Sequence, residues 1–127
     1  MEEIRVYTDG ACEGNPGPGG YAAIIDKDGK RIEVKGGERQ TTNNRMELLA
    51  VIAALRTLTE PSTVRVVTDS QYVAKGMTSW IHSWRRKGWK TSSGAPVKNR
   101  DLWEELDALA GKHRLRFEWI RGHNGHP

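Results

Sequence analysis

Two places in this 127-residue chain put a carboxylate where a strand should not hold one. Thr8-Asp9-Gly10 and Thr68-Asp69-Ser70 each close an apolar, β-branched run, and Asp is disfavoured inside strands. If the two strands lie side by side and parallel, both carboxylates emerge at one sheet edge, the edge at which open α/β folds place ligands. Close, ionised carboxylates repel unless a proton or a cation lies between them, and no Lys or Arg adjoins either Asp in sequence. Glu47, at the start of an apolar helical pattern that leads into the second strand, is the natural third member. An all-oxygen set of this kind predicts a hard divalent cation, Mg²⁺ with Mn²⁺ as a possible substitute. Each residue also has a structural use. Asp69 could cap a helix starting at Ser70, Glu47 could close an Asn44-x-x-Glu47 capping box, and Asp9 could serve the turn at Gly10.

Other chemistries fit poorly. Gly14 to Gly20 carries two prolines and leads into a strand, so it offers no helix N-terminus to a phosphate. Ser70 has no neighbouring His, Cys12 has no second thiol, and His123-x-x-His126 has no further evident zinc ligands.

The elements that must hold the three carboxylates follow from periodicity. Ile4 to Cys12 predicts a strand with Ile4, Val6 and Thr8 on one face and Arg5, Tyr7 and Asp9 on the other. A turn is expected over Gly10 to Gly20, then a strand over Tyr21 to Asp26, a tight turn at Asp28-Gly29 and a strand over Arg31 to Gly36. From Met46 the period becomes helical, with Leu48, Val51, Ile52, Leu55 and Leu58 on one stripe ended by Glu60-Pro61. Thr63 to Thr68 predicts a strand that returns parallel to the first through the helical crossover. Ser70 to about Lys87 reads as helix with a break near Gly76, and Trp89 to Lys98 as loop. A further helix from Asn99 should bury Leu102, Trp103, Leu106 and Leu109 and stop at Gly111, with a last strand over Leu115 to Ile120. The order β-β-β-α-β-α-α-β implies one α/β domain: a five-stranded mixed sheet with helices on its faces.

Composition narrows the partner. The formal charge is +4, a weak signal, but Ser70 to Arg100 contains seven cations and no Asp or Glu. Trp80, Trp84 and Trp89 lie among them, a pattern suited to a small aromatic-packed unit that presents Arg85, Arg86, Lys87 and Lys98 to phosphates. The longest apolar run, Leu48 to Leu55, has eight residues, against about twenty for a bilayer span. The charged start lacks the apolar stretch of a secretory signal, and a lone cysteine fits a reducing compartment. A cytoplasmic protein that does not engage membranes is expected.

Five blocks carry a resemblance. Tyr7 to Cys12 with Asn15 to Tyr21, Thr42 to Leu48, Thr68 to Val73, the Trp80 to Trp89 segment, and Arg121-Gly122-His123-x-Gly125-His126-Pro127 together resemble bacterial type 1 ribonuclease H, in that family's order and spacing from Ile4 to Pro127. The resemblance implies endonucleolytic hydrolysis of the RNA strand of RNA–DNA hybrids by a monomer, with 5′-phosphate and 3′-hydroxyl products. Asp9, Glu47 and Asp69 then look like metal-binding carboxylates, and His123 like a loop histidine that assists proton transfer or product release. Cys12, Asn15, Asn43, Asn44 and Gln71 resemble minor-groove contacts, and Thr42 and Asn99 a pocket for a DNA-strand phosphate. The basic, Trp-bearing stretch is similar to a handle that grips the DNA strand. In the family a last helix bearing a fourth carboxylate follows His-Pro, whereas the sequence stops at Pro127. One domain without that helix is therefore expected, with some apolar sheet surface left in water at about 25 cal/mol per Å², and weakened binding of a second ion. Two alternatives stay open: a weak or silent hybrid-binding module, and a transposase or 3′-exonuclease relative with a similar carboxylate cluster.

Overall fold

The computed structural model describes residues 3–121. Ten regular segments follow one another: β1 (Ile4–Cys12), β2 (Gly17–Lys27), β3 (Lys30–Thr41), α1 (Asn43–Arg56), β4 (Thr63–Thr68), α2 (Gln71–Lys75), a π-helical turn (Gly76–Trp80), α3 (Ile81–Arg86), α4 (Arg100–Ala110) and β5 (Arg114–Trp119). They form one five-stranded sheet in the order β3-β2-β1-β4-β5. The β1-β2-β3 meander is antiparallel, and β4 is parallel to both β1 and β5. The expected mixed α/β sheet is the one found.

Alternation along β1 divides the sheet's faces. Ile4, Val6 and Thr8 are buried while Arg5, Tyr7 and Asp9 are exposed. The buried row joins Ala23 and Ile25 of β2 and Val64 and Val66 of β4 beneath α1 and α4, and there the core lies. Helix α1 is buried on more than one stripe, since Met46, Ala50 and Ala54 are enclosed with Leu48, Val51, Ile52 and Leu55. This suits a crossover helix pressed between the sheet and α4. Leu58 lies beyond its end and is only half-buried.

On the opposite face Tyr7 stands between Ile24 and Val67 and is 37% exposed. Arg5, Arg65 and Arg116 stand abreast across three parallel strands. Their mutual repulsion is offset by Glu3, 3.2 Å from Arg65 and 3.4 Å from Arg116, and by Glu118, 3.7 Å from Arg65.

Several boundaries differ from the sequence reading. β2 begins at Gly17 rather than Tyr21, and β3 runs to Thr41 rather than Gly36. Gly and Pro lower strand propensity, but β2 has a partner on each side from Gly19 onward, and complete backbone pairing outweighs propensity. α1 starts at Asn43, three residues before Met46, because Thr42 caps it. The helix does not break at Gly76: it continues through the π-helical turn, with glycine required because a Cβ there would collide with the Trp103 ring.

Candidate active site

Register alone brings two of the acids together. Tyr7 of β1 pairs with Val67 of β4, so two residues further along the parallel strands Asp9 and Asp69 leave the same edge. Asp69 does not cap the helix that follows it. Ser70 does, its Oγ accepting the Val73 N–H at 3.1 Å. Glu47 closes no capping box either, since the N-cap of α1 is Thr42, whose Oγ1 accepts the Arg45 N–H at 3.2 Å. Both structural uses are thus filled by other residues. β1 and the first turn of α1 meet closely: a Cβ on Gly10 would lie 2.6 Å from the Met46 carbonyl carbon and 2.7 Å from the Glu47 nitrogen. Only glycine lets Glu47 come this near Asp9.

Glu47 senses the other two carboxylates. Burial first, then the charge of Asp69 and its hydrogen bond, then the charge of Asp9, push the Glu47 carboxyl up to about 8, against a smaller downward pull from the Gly10 N–H. Glu47 therefore holds a proton near neutral pH in the ion-free protein, as expected of like charges held in a half-buried place without a cation. One of its oxygens, Oε1, is buried and takes no hydrogen bond. An oxygen donor in that condition fits a hard divalent ion. Among the described residues no three His, Cys, Asp or Glu side chains are already drawn to ion-binding distance.

Around this edge lie the amides and the thiol singled out from sequence. Asn15, Asn43, Asn44 and Gln71 are all exposed. Asn15 Oδ1 accepts the Asn43 N–H at 3.2 Å, which fastens the glycine-rich turn to the start of α1. The half-buried Cys12 thiol faces the carbonyls of Gly17 and Thr41 at 3.4 and 3.3 Å. His123 and His126 lie outside the described residues.

The basic segment separates into packing and presentation. Trp84 and Trp89 are half-buried against the core, with ring centres 6.4 Å apart, and Trp84 lies 5.1 Å from Trp103. Trp80 is 38% exposed and continues the aromatic row, 5.9 Å from Trp84 and 6.0 Å from Tyr72. Of the three indoles in the handle-like segment, Trp80 is the exposed one. Arg85 is exposed like Arg86, Lys87 and Lys98, but its Nε and Nη2 both donate to Oδ1 of Asp107 of α4, which offsets its charge at the surface.

Three residues escaped the sequence reading. Arg45 binds Asp101 through two hydrogen bonds of 3.1 Å and holds that carboxyl below the usual range. The Tyr72 hydroxyl accepts from both Asn99 and Trp103. The Trp119 indole N–H donates to the Asp69 carbonyl at 3.0 Å, which steadies the backbone behind that carboxylate. Their partners are distant in the chain, so no local pattern could expose them.

A mixed sheet of this order, with acids gathered at the ends of two adjacent parallel strands and a cationic aromatic unit beside them, defines a nuclease of the ribonuclease H-like fold. The chain belongs to the ribonuclease H family, whose model matches residues 1–127. Its similarity to the ribonuclease H of Cupriavidus metallidurans is 56% identity over 127 residues, covering 100% of this chain and 88% of that one. To the ribonuclease H of Thiobacillus denitrificans it is 57% over 124 residues, covering 98% and 84%. Among solved structures, LC9-RNase H1, described as a type 1 RNase H with the type 2 active-site motif, superposes with a TM-score of 0.85 at 37% identity, covering 99% of this chain and 67% of that one.

Proposed function

We propose that this ribonuclease H cleaves the RNA strand of RNA–DNA hybrids by divalent-metal hydrolysis, with Asp9, Glu47 and Asp69 as the ligands of Mg²⁺, or of Mn²⁺ in its place, and 5′-phosphate and 3′-hydroxyl products. The observation that carries this reading is the convergence of Glu47 on the two aspartates: burial first, then the charges of Asp69 and Asp9, raise its carboxyl to about 8, and its buried Oε1 takes no hydrogen bond. A bound divalent ion supplies the Lewis acidity that makes water a nucleophile near neutral pH and offsets charge on the leaving oxygen.

The protein's own groups do the rest. Glu47 gives up its proton when it becomes a ligand, so metal uptake is linked to pH. The exposed amides of Asn15, Asn43, Asn44 and Gln71, with Cys12, face the strand to be cut. A carboxamide both donates and accepts, which suits a 2′-hydroxyl that does the same, and that hydroxyl distinguishes RNA from DNA. Thr42 and Asn99 with Trp80, Arg86, Lys87 and Lys98 engage the DNA strand through its backbone, with Trp84, Arg85 and Trp89 holding that unit in shape. Backbone contacts carry no base information, so cleavage is without strong sequence preference. His123 serves as proton carrier. Residues 1–127 act as one domain and as a monomer in the cytoplasm; among the described residues no helix is long and apolar enough to cross a membrane.

The test is a labelled RNA–DNA duplex incubated with Mg²⁺ or Mn²⁺, beside single-stranded RNA, plain DNA and the Asp9→Asn variant. Internal cuts in the RNA strand of the hybrid alone, lost in Asp9→Asn and in EDTA, are the expected result. Digestion of plain DNA from its ends, or binding of the hybrid without turnover at saturating Mn²⁺, would overturn it.

A further inference from the structure

The three carboxylates are not held alike. Asp9 lies within a ladder, paired with Ala22 of β2, and Glu47 lies within α1. Asp69 belongs to neither kind of element. The pairing of β4 with β1 ends at Val67 and its pairing with β5 at Thr68, while α2 does not begin until Gln71. A residue between strand and helix keeps its backbone freedom unless the peptides on either side of it are held, and ordering it later costs entropy.

The bonds around Asp69 hold both peptides. The direction in which a side chain leaves the backbone follows from the two planar peptides flanking its Cα. In the plane before Asp69, the Thr68 carbonyl accepts the Ile120 N–H at 2.9 Å. In the plane after it, the Ser70 N–H donates to the buried Thr68 Oγ1 at 3.0 Å, and the Asp69 carbonyl accepts the Trp119 indole N–H at 3.0 Å. Thr68 lies two residues from Ser70 and turns with the same stretch of chain, so of these two bonds to the second plane only that from Trp119 comes from another strand. Burial does not account for the indole, since Trp119 is 43% exposed. Its N–H is a donor only, and it is given to the peptide that carries the carboxylate rather than left to water.

We propose that Trp119 is a positioning residue for catalysis: by tying the peptide after Asp69 to the end of β5, it holds that carboxylate in place beside Asp9 and Glu47 to take the divalent ion. The inference rests on the metal reading above and adds the residue that aims one of the ligands. The role involves no contact of the indole with nucleic acid. A ligand on a loosened backbone must be ordered when the ion binds, which lowers ion affinity, and a ligand held off its place lowers turnover.

Trp119→Phe tests this, because it keeps a ring and removes the donor. In the ion-free protein, with free Mn²⁺ counted by electron paramagnetic resonance, the variant should bind Mn²⁺ about two- to tenfold more weakly, the loss of one hydrogen bond. At saturating hybrid and Mg²⁺ its kcat should fall about tenfold, while its Kd for hybrid in EDTA, by fluorescence anisotropy, stays at the parent's value. A variant that matches the parent in Mn²⁺ affinity or in kcat, however its melting temperature moves, would overturn the inference, since a bond of purely structural use lowers stability alone. So would a weakened hybrid Kd in EDTA, the mark of a ring that touches the nucleic acid. A second measurement needs no variant. By NMR the Trp119 indole N–H of the parent should exchange with solvent more slowly than that of Trp80, an indole of similar exposure at 38%, and equal rates would overturn the inference as well. A parent that takes up no Mn²⁺ would overturn the metal reading beneath it.

Discussion

Replacing Glu47 by Gln should make the ion-free protein more stable and the enzyme inactive. The Glu47 carboxyl titrates at about 8 in the folded chain and near 4.5 when unfolded. Between those values the folded state binds more protons than the unfolded state, so stability falls as pH rises through the window, by about 1.4 kcal/mol per pH unit at full effect. Forced ionisation above pH 8 then costs on the order of 5 kcal/mol. Gln has the same shape, keeps an amide hydrogen to give Asp69, and has nothing to ionise. Urea unfolding in EDTA at pH 5, 6, 7 and 8 would read this directly. The stability difference between Glu47→Gln and parent should be small at pH 5 and grow steadily to favour the variant at pH 8. Other groups cancel in that difference, since both proteins carry them. Saturating Mg²⁺ should restore the parent by mass action and do little for the variant, whose hybrid cleavage should fall at least a hundredfold. A difference that does not change with pH, or a variant less stable than the parent at pH 8, would refute the reasoning that the three acids share one charge-poor place.

Further outcomes follow from single contacts. Gly10→Ala drives a methyl into the backbone of Met46 and Glu47; overpacking of this kind costs about 1–3 kcal/mol, and kcat should drop with the displaced Glu47, as thermal melts and steady-state cleavage would show. His113 accepts the Ser62 N–H at Nδ1, and burial, then Lys112, lower its pKa below 6.5. The neutral ring is the native form, so its contribution is present above pH 6.5 and lost as pH falls below it. An NMR titration should place its midpoint under 6.5, and a midpoint above that value would contradict the assignment. Because Arg85 is paired with Asp107, Arg86→Ala and Lys87→Ala should each flatten the slope of log K against log salt by about 0.7–0.9. Arg85→Ala should chiefly lower the melting temperature, and equal slopes in all three would oppose the division.

Much of this protein is legible without coordinates, because local periodicity and strand-end chemistry are properties of neighbouring residues. The alternation in Ile4 to Asp9, the apolar Thr63 to Thr68, and the helical run between them together require a parallel crossover, and that crossover alone brings Asp9 and Asp69 to one edge. Glu47 follows because it starts the connecting helix. Where backbone pairing or a distant ring outweighs local preference, the sequence is a poor guide: the glycine-rich start of β2 pairs on both sides from Gly19 onward, and Gly76 sits inside a helical turn because Trp103 leaves no room for a side chain. Only the tertiary structure decides which group spends its hydrogen bonds on which. Thr42 and Ser70 take the caps that Glu47 and Asp69 could have filled, Asp107 takes the charge of Arg85, and Arg45 takes the amide of Asn99. The physical reason is that a donor has one best acceptor within reach, and reach across tens of residues exists only once the sheet and helices have packed.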